Sequence, residues 1–323
     1  LVFVAALLLA TTPPDALTAL DPKAVTRYNV IAGAIGIVAA LLVTATSAVM
    51  TRKHPQASGI ALAHTVPFLT AASALRLSQS HWDTAGWGWT GLGLLIGSLA
   101  VLALPKRSRI SIAAPLVVGT VLAATGLLVR LGQLSQAGIS AILFALVIVL
   151  LQVAPWIALA HIPVRILDAD TTEQIPAKGI TDQVSTSFVF VVALRAGGAI
   201  AALFLAVALM TAPETRSISL PLTLIVLGAV SLVLQTRSIR ARVEVLLGAL
   251  TGLIVILVAT VLGAYADPRT MPWLTLSAIA TALVLVITNV VGPRARPHLT
   301  RIADTISVLS LFVLLPLAVY LWS

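Results

Sequence analysis

The chain has 323 residues, of which 59% are apolar and 10% charged, with a mean hydropathy of +1.08 and a formal net charge of +9. So apolar a chain is neither a soluble globular enzyme nor a disordered tail. Its basic excess, 20 Lys and Arg against 11 Asp and Glu, suits membrane orientation better than a nucleic-acid surface. The absence of Cys excludes a disulfide framework, thiolate metal sites and thiol catalysis.

Residues 1–10, LVFVAALLLA, form an apolar run too short to cross a bilayer. The run lacks the charged leader and small-residue cleavage site of a signal peptide, so it reads as the end of a span that begins outside this numbering. Ten full spans are predicted to follow, near 28–50, 58–75, 84–104, 110–130, 138–160, 188–211, 218–235, 245–265, 272–291 and 304–322. Each is close to the ~20 residues that a helix needs to cross a ~30 Å hydrocarbon core. Lipid leaves backbone groups no outside partner, so these runs must be helical. The expected fold is all-α, a polytopic membrane helix bundle of about eleven helices with the first one truncated. Residues 1–160 would carry helices one to six, 161–187 a long cytoplasmic loop, and 188–323 helices seven to eleven.

Loop charges set the expected orientation. Alternate loops hold Arg52, Lys53, Lys106, Arg107, Arg109, Arg165, Lys178, Arg237, Arg240, Arg242, Arg294, Arg296 and Arg301. The intervening loops hold only Lys23, Arg27, Arg76, Arg130, Arg216 and Arg269. The positive-inside rule places the richer set in the cytoplasm, the N-terminus with it and the C-terminus outside. The loop at 161–187 is the longest and the only acidic cytoplasmic one, with Asp168, Asp170, Glu173 and Asp182 beside Lys178. Its length suits a docking segment for a cytoplasmic partner, an idle linker being the alternative.

Catalytic chemistry is hard to find. No span carries a central Asp or Glu, and there is no H-E-x-x-H, G-x-S-x-G or phosphate-binding loop. The five His (His54, His64, His81, His161, His298) fall in five segments without ligand spacing. Neither a metal nor a cofactor is expected, and the chain does not read as an enzyme. His64, inside a span, reads as bonded to a neighbouring helix, or else as a proton or ligand contact. Arg195, a turn or two inside its span, is expected to snorkel or to join a structural pair, or else to face a head group or partner. Gln152, Gln235 and Asn289 read as interhelical glue. Gly93 with Gly97, and Gly248 with Gly252, have the four-residue spacing that lets helix backbones approach, within one chain or between two. Trp82, Trp87, Trp89, Trp273 and Trp322 fall where an interfacial aromatic belt would lie. The clusters Arg237, Arg240, Arg242 and Arg294, Arg296 read either as orientation signals or as contacts to anionic lipid or an acidic partner.

Three stretches carry a family resemblance: APWIALAHIPV before the long loop, LVLQTRSIRARVEVLLGALTG around 232–252, and GPRARPHLTRIADTISVLSLFVLLPLAVYLW at 292–322. A basic R-x-R element closes a span, Arg301 and Asp304 precede the last one, and Pro316-Leu317 and Tyr320 lie near its outer end. This layout resembles the EccD-type membrane subunit of actinobacterial type VII (ESX) secretion systems, with Thr300 standing where many members have a second Arg. The first half resembles the family only in span count and composition. The resemblance implies a cytoplasmic ubiquitin-like domain ahead of eleven helices and a non-enzymatic scaffold role in the inner membrane. It further implies pairing with a second copy to enclose a lipid-lined space. The implied partners are an FtsK/SpoIIIE-type ATPase, the EccB and EccE components and membrane lipids, and no nucleic acid. The alternative from the residues alone is a secondary transporter of an apolar solute, using His64 or Arg195.

Overall fold

A hydrocarbon surrounding dictates helices, and helices are what form. The computed structural model describes residues 22–53, 57–78, 83–102, 112–161, 177–214, 218–235, 242–266, 272, 275–276, 279 and 296–322. Among them are nine helices: α1 (Pro22–Lys53), α2 (Ala57–Leu77), α3 (Thr84–Leu102), α4 (Ala113–Gly132), α5 (Gln136–His161), α6 (Ala177–Met210), α7 (Ser219–Gln235), α8 (Arg242–Ala266) and α9 (Arg296–Trp322). Among the described residues, α1, α3, α4, α5, α6, α8 and α9 each carry a stretch long and apolar enough to cross a membrane. The predicted partial span at 1–10 and most of the span at 272–291 lie outside the described residues. Helix α6 starts at Ala177, so the last eleven residues of the predicted 161–187 loop are helical. Hydropathy marks where the apolar run ends. A helix may continue past that point into polar sequence, as Lys178–Ser187 does here.

The chain divides into two compact units, Leu1–Leu134 and Ser135–Ser323. In the first unit the helices form a row in chain order: α2 packs on α1, α3 on α2 and α4 on α3, while α1 and α3 meet only marginally. Its core contains Ala40 of α1, Ala63, Val66, Leu69 and Ala72 of α2, Val101 of α3, and Ile112. Asp83 caps α3: its Oδ1 accepts the Gly86 N–H at 2.8 Å. Near one end of the row the Arg76 Nη1 donates to Asn29 Oδ1 at 3.2 Å, with the guanidinium 6.0 Å from the centre of the Tyr28 ring.

In the second unit the helices close a ring: α5 packs on α6, α6 on α8, α8 on α7, α7 on α9 and α9 back on α5. Helix α7 also touches α5 and α6, so the middle of the ring is filled. Phe144, Ile148, Leu205, Leu224, Val255 and Leu314 are fully buried there, and all five helices contribute. The outward stripe of α8 is Leu246, Leu250, Leu257, Val261 and Tyr265, at intervals of four or seven, as a lipid-facing helix face requires. Several buried hydroxyls return to a carbonyl of their own helix, which offsets the cost of burying them. Ser73 donates to the Leu69 carbonyl and Ser98 to that of Leu94 at 2.7 Å, and Thr125 to that of Val121 at 2.8 Å.

Candidate functional site

The second unit has a chemically distinct end. Its helix directions follow from specific contacts. Gln136 Nε2 of α5 donates to the Ala208 carbonyl of α6 at 2.8 Å, so the start of α5 meets the end of α6. Gly138 lies against the backbone of Trp322, so α9 also runs antiparallel to α5. Gln152 of α5 hydrogen-bonds Ser231 of α7, and Gly228 of α7 lies against Phe144, so these two helices run parallel. Only six residues separate α7 from α8, and the two pack along one another, so α8 runs antiparallel to α7. The end of α5, the start of α6, the end of α7 and the starts of α8 and α9 therefore gather at one end.

That end holds Lys178 and Asp182 of α6, Arg242 and Glu244 of α8, and Arg296, Arg301 and Asp304 of α9. Among the described residues of this unit, Arg195 is the only Lys or Arg elsewhere; the opposite end carries Glu214, near the Gln136 N–H. Of the proposed docking residues, Lys178, Asp182, Arg242 and Arg296 thus come to one end by their backbone positions. Asp168, Asp170, Glu173, Arg237, Arg240 and Arg294 lie outside the described residues.

Arg195 sits inward of this end. It is 5% exposed and lines a small pocket with Leu151, Leu232, Leu247, Gly248 and Thr251. A charge at membrane depth belongs inside a bundle, where protein dipoles replace water, and α6 turns this one inward. His64, in α2, is half-buried. The Gln152–Ser231 bond is interhelical glue of the kind the sequence suggests; Asn289 lies outside the described residues. Among the described residues, no cluster of three His, Asp or Glu could hold a metal.

The glycine pairs sit at intrachain contacts. A Cβ on Gly93 would stand 2.5 Å from the Thr70 carbonyl oxygen, and one on Gly97 2.6 Å from the Pro67 Cα, both in α2. Gly252 meets α7, and Gly248 borders the Arg195 pocket. A second set had escaped sequence reading: Gly88 and Gly91 of α3 against Gly119, Ala123 and Gly126 of α4. The signal was available, since Gly119 and Gly126 are seven residues apart and so share a helix face.

The family model for the EccD-like transmembrane domain matches residues 1–323. Two solved structures share the fold. "Structure of protomer 1 of the ESX-3 core complex" superposes with a TM-score of 0.69 at 17% identity, covering 99% of this chain and 72% of that one. "MycP5-free ESX-5 inner membrane complex, State II" superposes with a TM-score of 0.59 at 17% identity, covering 88% of this chain and 68% of that one. No curated protein sequence matches. With a match over its whole length and a membrane-helix architecture to go with it, the chain belongs to the EccD-like transmembrane domain family.

Proposed function

We propose that the chain is a structural membrane component of a type VII (ESX) secretion core complex, held in the inner membrane by about eleven helices. The observation that carries this reading is the family match over residues 1–323. The fold shared with chains of an ESX-3 core complex and an ESX-5 inner membrane complex agrees with it. In this reading the charged end of the second unit faces the cytoplasm. Lys178, Asp182, Arg242 and Arg296, with the segment 161–187 and Arg237, Arg240 and Arg294, dock an FtsK/SpoIIIE-type ATPase and the EccB and EccE components. A second copy pairs with the first to enclose a lipid-lined space. The chemistry suits a frame: the sequence has no phosphate-binding loop, so energy would come from another chain.

Affinity purification of the full-length protein in mild detergent tests this. Native electrophoresis and mass spectrometry should find a very large particle that contains the ATPase. Deleting residues 162–176 should release the ATPase while the membrane subunits stay together. A lone monomer or dimer in several mild detergents would overturn the scaffold reading. So would a transport activity abolished by His64→Ala or Arg195→Ala with the assembly intact.

A further inference from the structure

A buried arginine inside a membrane bundle calls for an opposite charge, because neither lipid nor an apolar core solvates a guanidinium. Arg195 lies seven residues past Phe188, where the apolar stretch of α6 begins, or about 10 Å into it. Among the described residues, the helices packed on α6 are α5, α8 and, over a shorter stretch, α7. Neither α5 nor α7 carries an Asp or Glu. Helix α8 carries one, Glu244. The acid of α6 itself, Asp182, stands thirteen residues from Arg195, about 20 Å along the helix. Asp304 belongs to α9, which packs on α5 and α7 instead.

Helical spacing puts Glu244 on the face of α8 that meets Arg195. The α8 residues around the Arg195 pocket are Leu247, Gly248 and Thr251. They follow Glu244 by three, four and seven positions, the intervals that keep residues on one helix face. Leu247 and Gly248 are thus one turn from Glu244, about 5–6 Å along the axis. Helices α6 and α8 both start at the charged end, so they run parallel. A helical side chain leans toward the start of its own helix, and for Arg195 that is the direction of the Glu244 level. Over one helical turn, away from bulk water, opposite charges attract with little screening. Glu244 precedes the apolar stretch Leu246–Tyr265 by two residues, so its backbone stands at the edge of the hydrocarbon.

We infer that Glu244 is the counter-charge of Arg195, and that the two clasp α6 to α8 just inside the charged end. The clasp fixes how the starts of these two helices stand to each other. Those starts carry Lys178 and Asp182 on α6 and Arg242 on α8. The pair therefore sets the spacing of charges offered to a docked partner, a consequence that rests on the docking role proposed above.

The test is a mutant cycle on the full-length protein in mild detergent, read as the thermal midpoint by fluorescence-detected size exclusion. Glu244→Gln keeps the shape and removes the charge. It should lower the midpoint by about 6 °C or more. Asp182→Asn should lower it by less than about 2 °C. Arg195→Leu and Glu244→Leu should each lower it, and the double variant should melt above the less stable of the two, because removing both charges leaves neither alone. Glu244→Arg should raise the midpoint of Arg195→Glu, a rescue that packing by itself does not give; if Arg195→Glu does not fold, the Leu cycle decides. A Glu244→Gln midpoint within about 1 °C of wild type, or a double Leu variant at or below the less stable single one, would overturn the pair. Retention of the ATPase on the purified protein reads the consequence at the docking end: Glu244→Gln should at least halve it, and the exchange of the two charges should restore it. If the wild type retains no ATPase, the docking reading falls while the cycle still decides the pair.

Discussion

Replacing Gly91 by residues of increasing size should loosen the α3–α4 contact in graded steps. A Cβ there would stand 2.7 Å from both the Ala123 Cα and the Gly119 carbonyl oxygen. Carbon pairs are most favourable at about 3.5–4.0 Å, so the shortfall is close to 1 Å. The obstruction is backbone, which no rotamer change can move aside. Gly126 is equally confined, since its Cβ would stand 2.5 Å from the Thr84 carbonyl oxygen. The helices must therefore separate as a pair, and a gap of 0.5–1 Å already forfeits a quarter to a half of each dispersion contact. Overpacking of this kind costs about 1–3 kcal/mol. Gly91→Ala recovers about 1 kcal/mol in helix propensity, for a net loss of about 0–2 kcal/mol. Gly91→Leu gains nearly the same propensity but must seat a whole side chain where a Cβ already meets backbone, and should lose at least about 3 kcal/mol, or roughly 6–12 °C at about 2–4 °C per kcal/mol. The assay is the thermal midpoint of the detergent-solubilised protein by fluorescence-detected size exclusion, with Leu99→Ala, at a 59% exposed position, as control. A Gly91→Leu midpoint within 1 °C of that control would refute the close-contact reasoning.

Three further outcomes follow from local geometry. Gln133 ends α4 in a left-handed conformation, φ 49° and ψ 33°, so Gln133→Gly should raise the midpoint by an amount matching about 1 kcal/mol and Gln133→Val should lower it. Asp83→Ala should cost about 1 kcal/mol by removing the cap on α3, while Asp83→Asn keeps most of it. Gln152→Leu and Ser231→Ala should each destabilise the second unit, with a double-mutant coupling of about 0.5–2 kcal/mol; strict additivity would mean that their bond contributes nothing.

What the sequence made legible was whatever repeats along one helix. Among the described residues, apolar runs located the seven candidate spans to within a few residues, because hydrocarbon tolerates only helix and demands a minimum length. Glycines four apart drew attention to Gly93 and Gly97, which do meet a neighbouring backbone. Partners far apart in sequence were out of reach. Nothing around Arg76 names Asn29, 47 positions away, and nothing around Gln152 names Ser231. The reading of Arg195 as snorkelling or joining a structural pair rests on distance along a helix, whereas its inward direction depends on where α8 and α7 lie. The groove between α1 and α3 was out of reach for a related reason: it exists because these helices barely touch, and a missing contact leaves no mark in either helix.

The two arrangements of helices also differ in when they can be completed. In the row, each helix finds its neighbour as soon as it is made, since α2 follows α1 and α3 follows α2. The ring closes only when α9 reaches α5, roughly 130 residues later, which at ~5–20 residues per second is on the order of 7–25 s of synthesis. For that interval the flanks of α5 and α7 that α9 will cover, next to fully buried Leu314, lack the cover that α9 provides. A ribosome stalled before residue 296 should therefore hold a finished first unit and an unsealed second one. Quality control that senses uncovered membrane helices would find its substrate in that nascent chain.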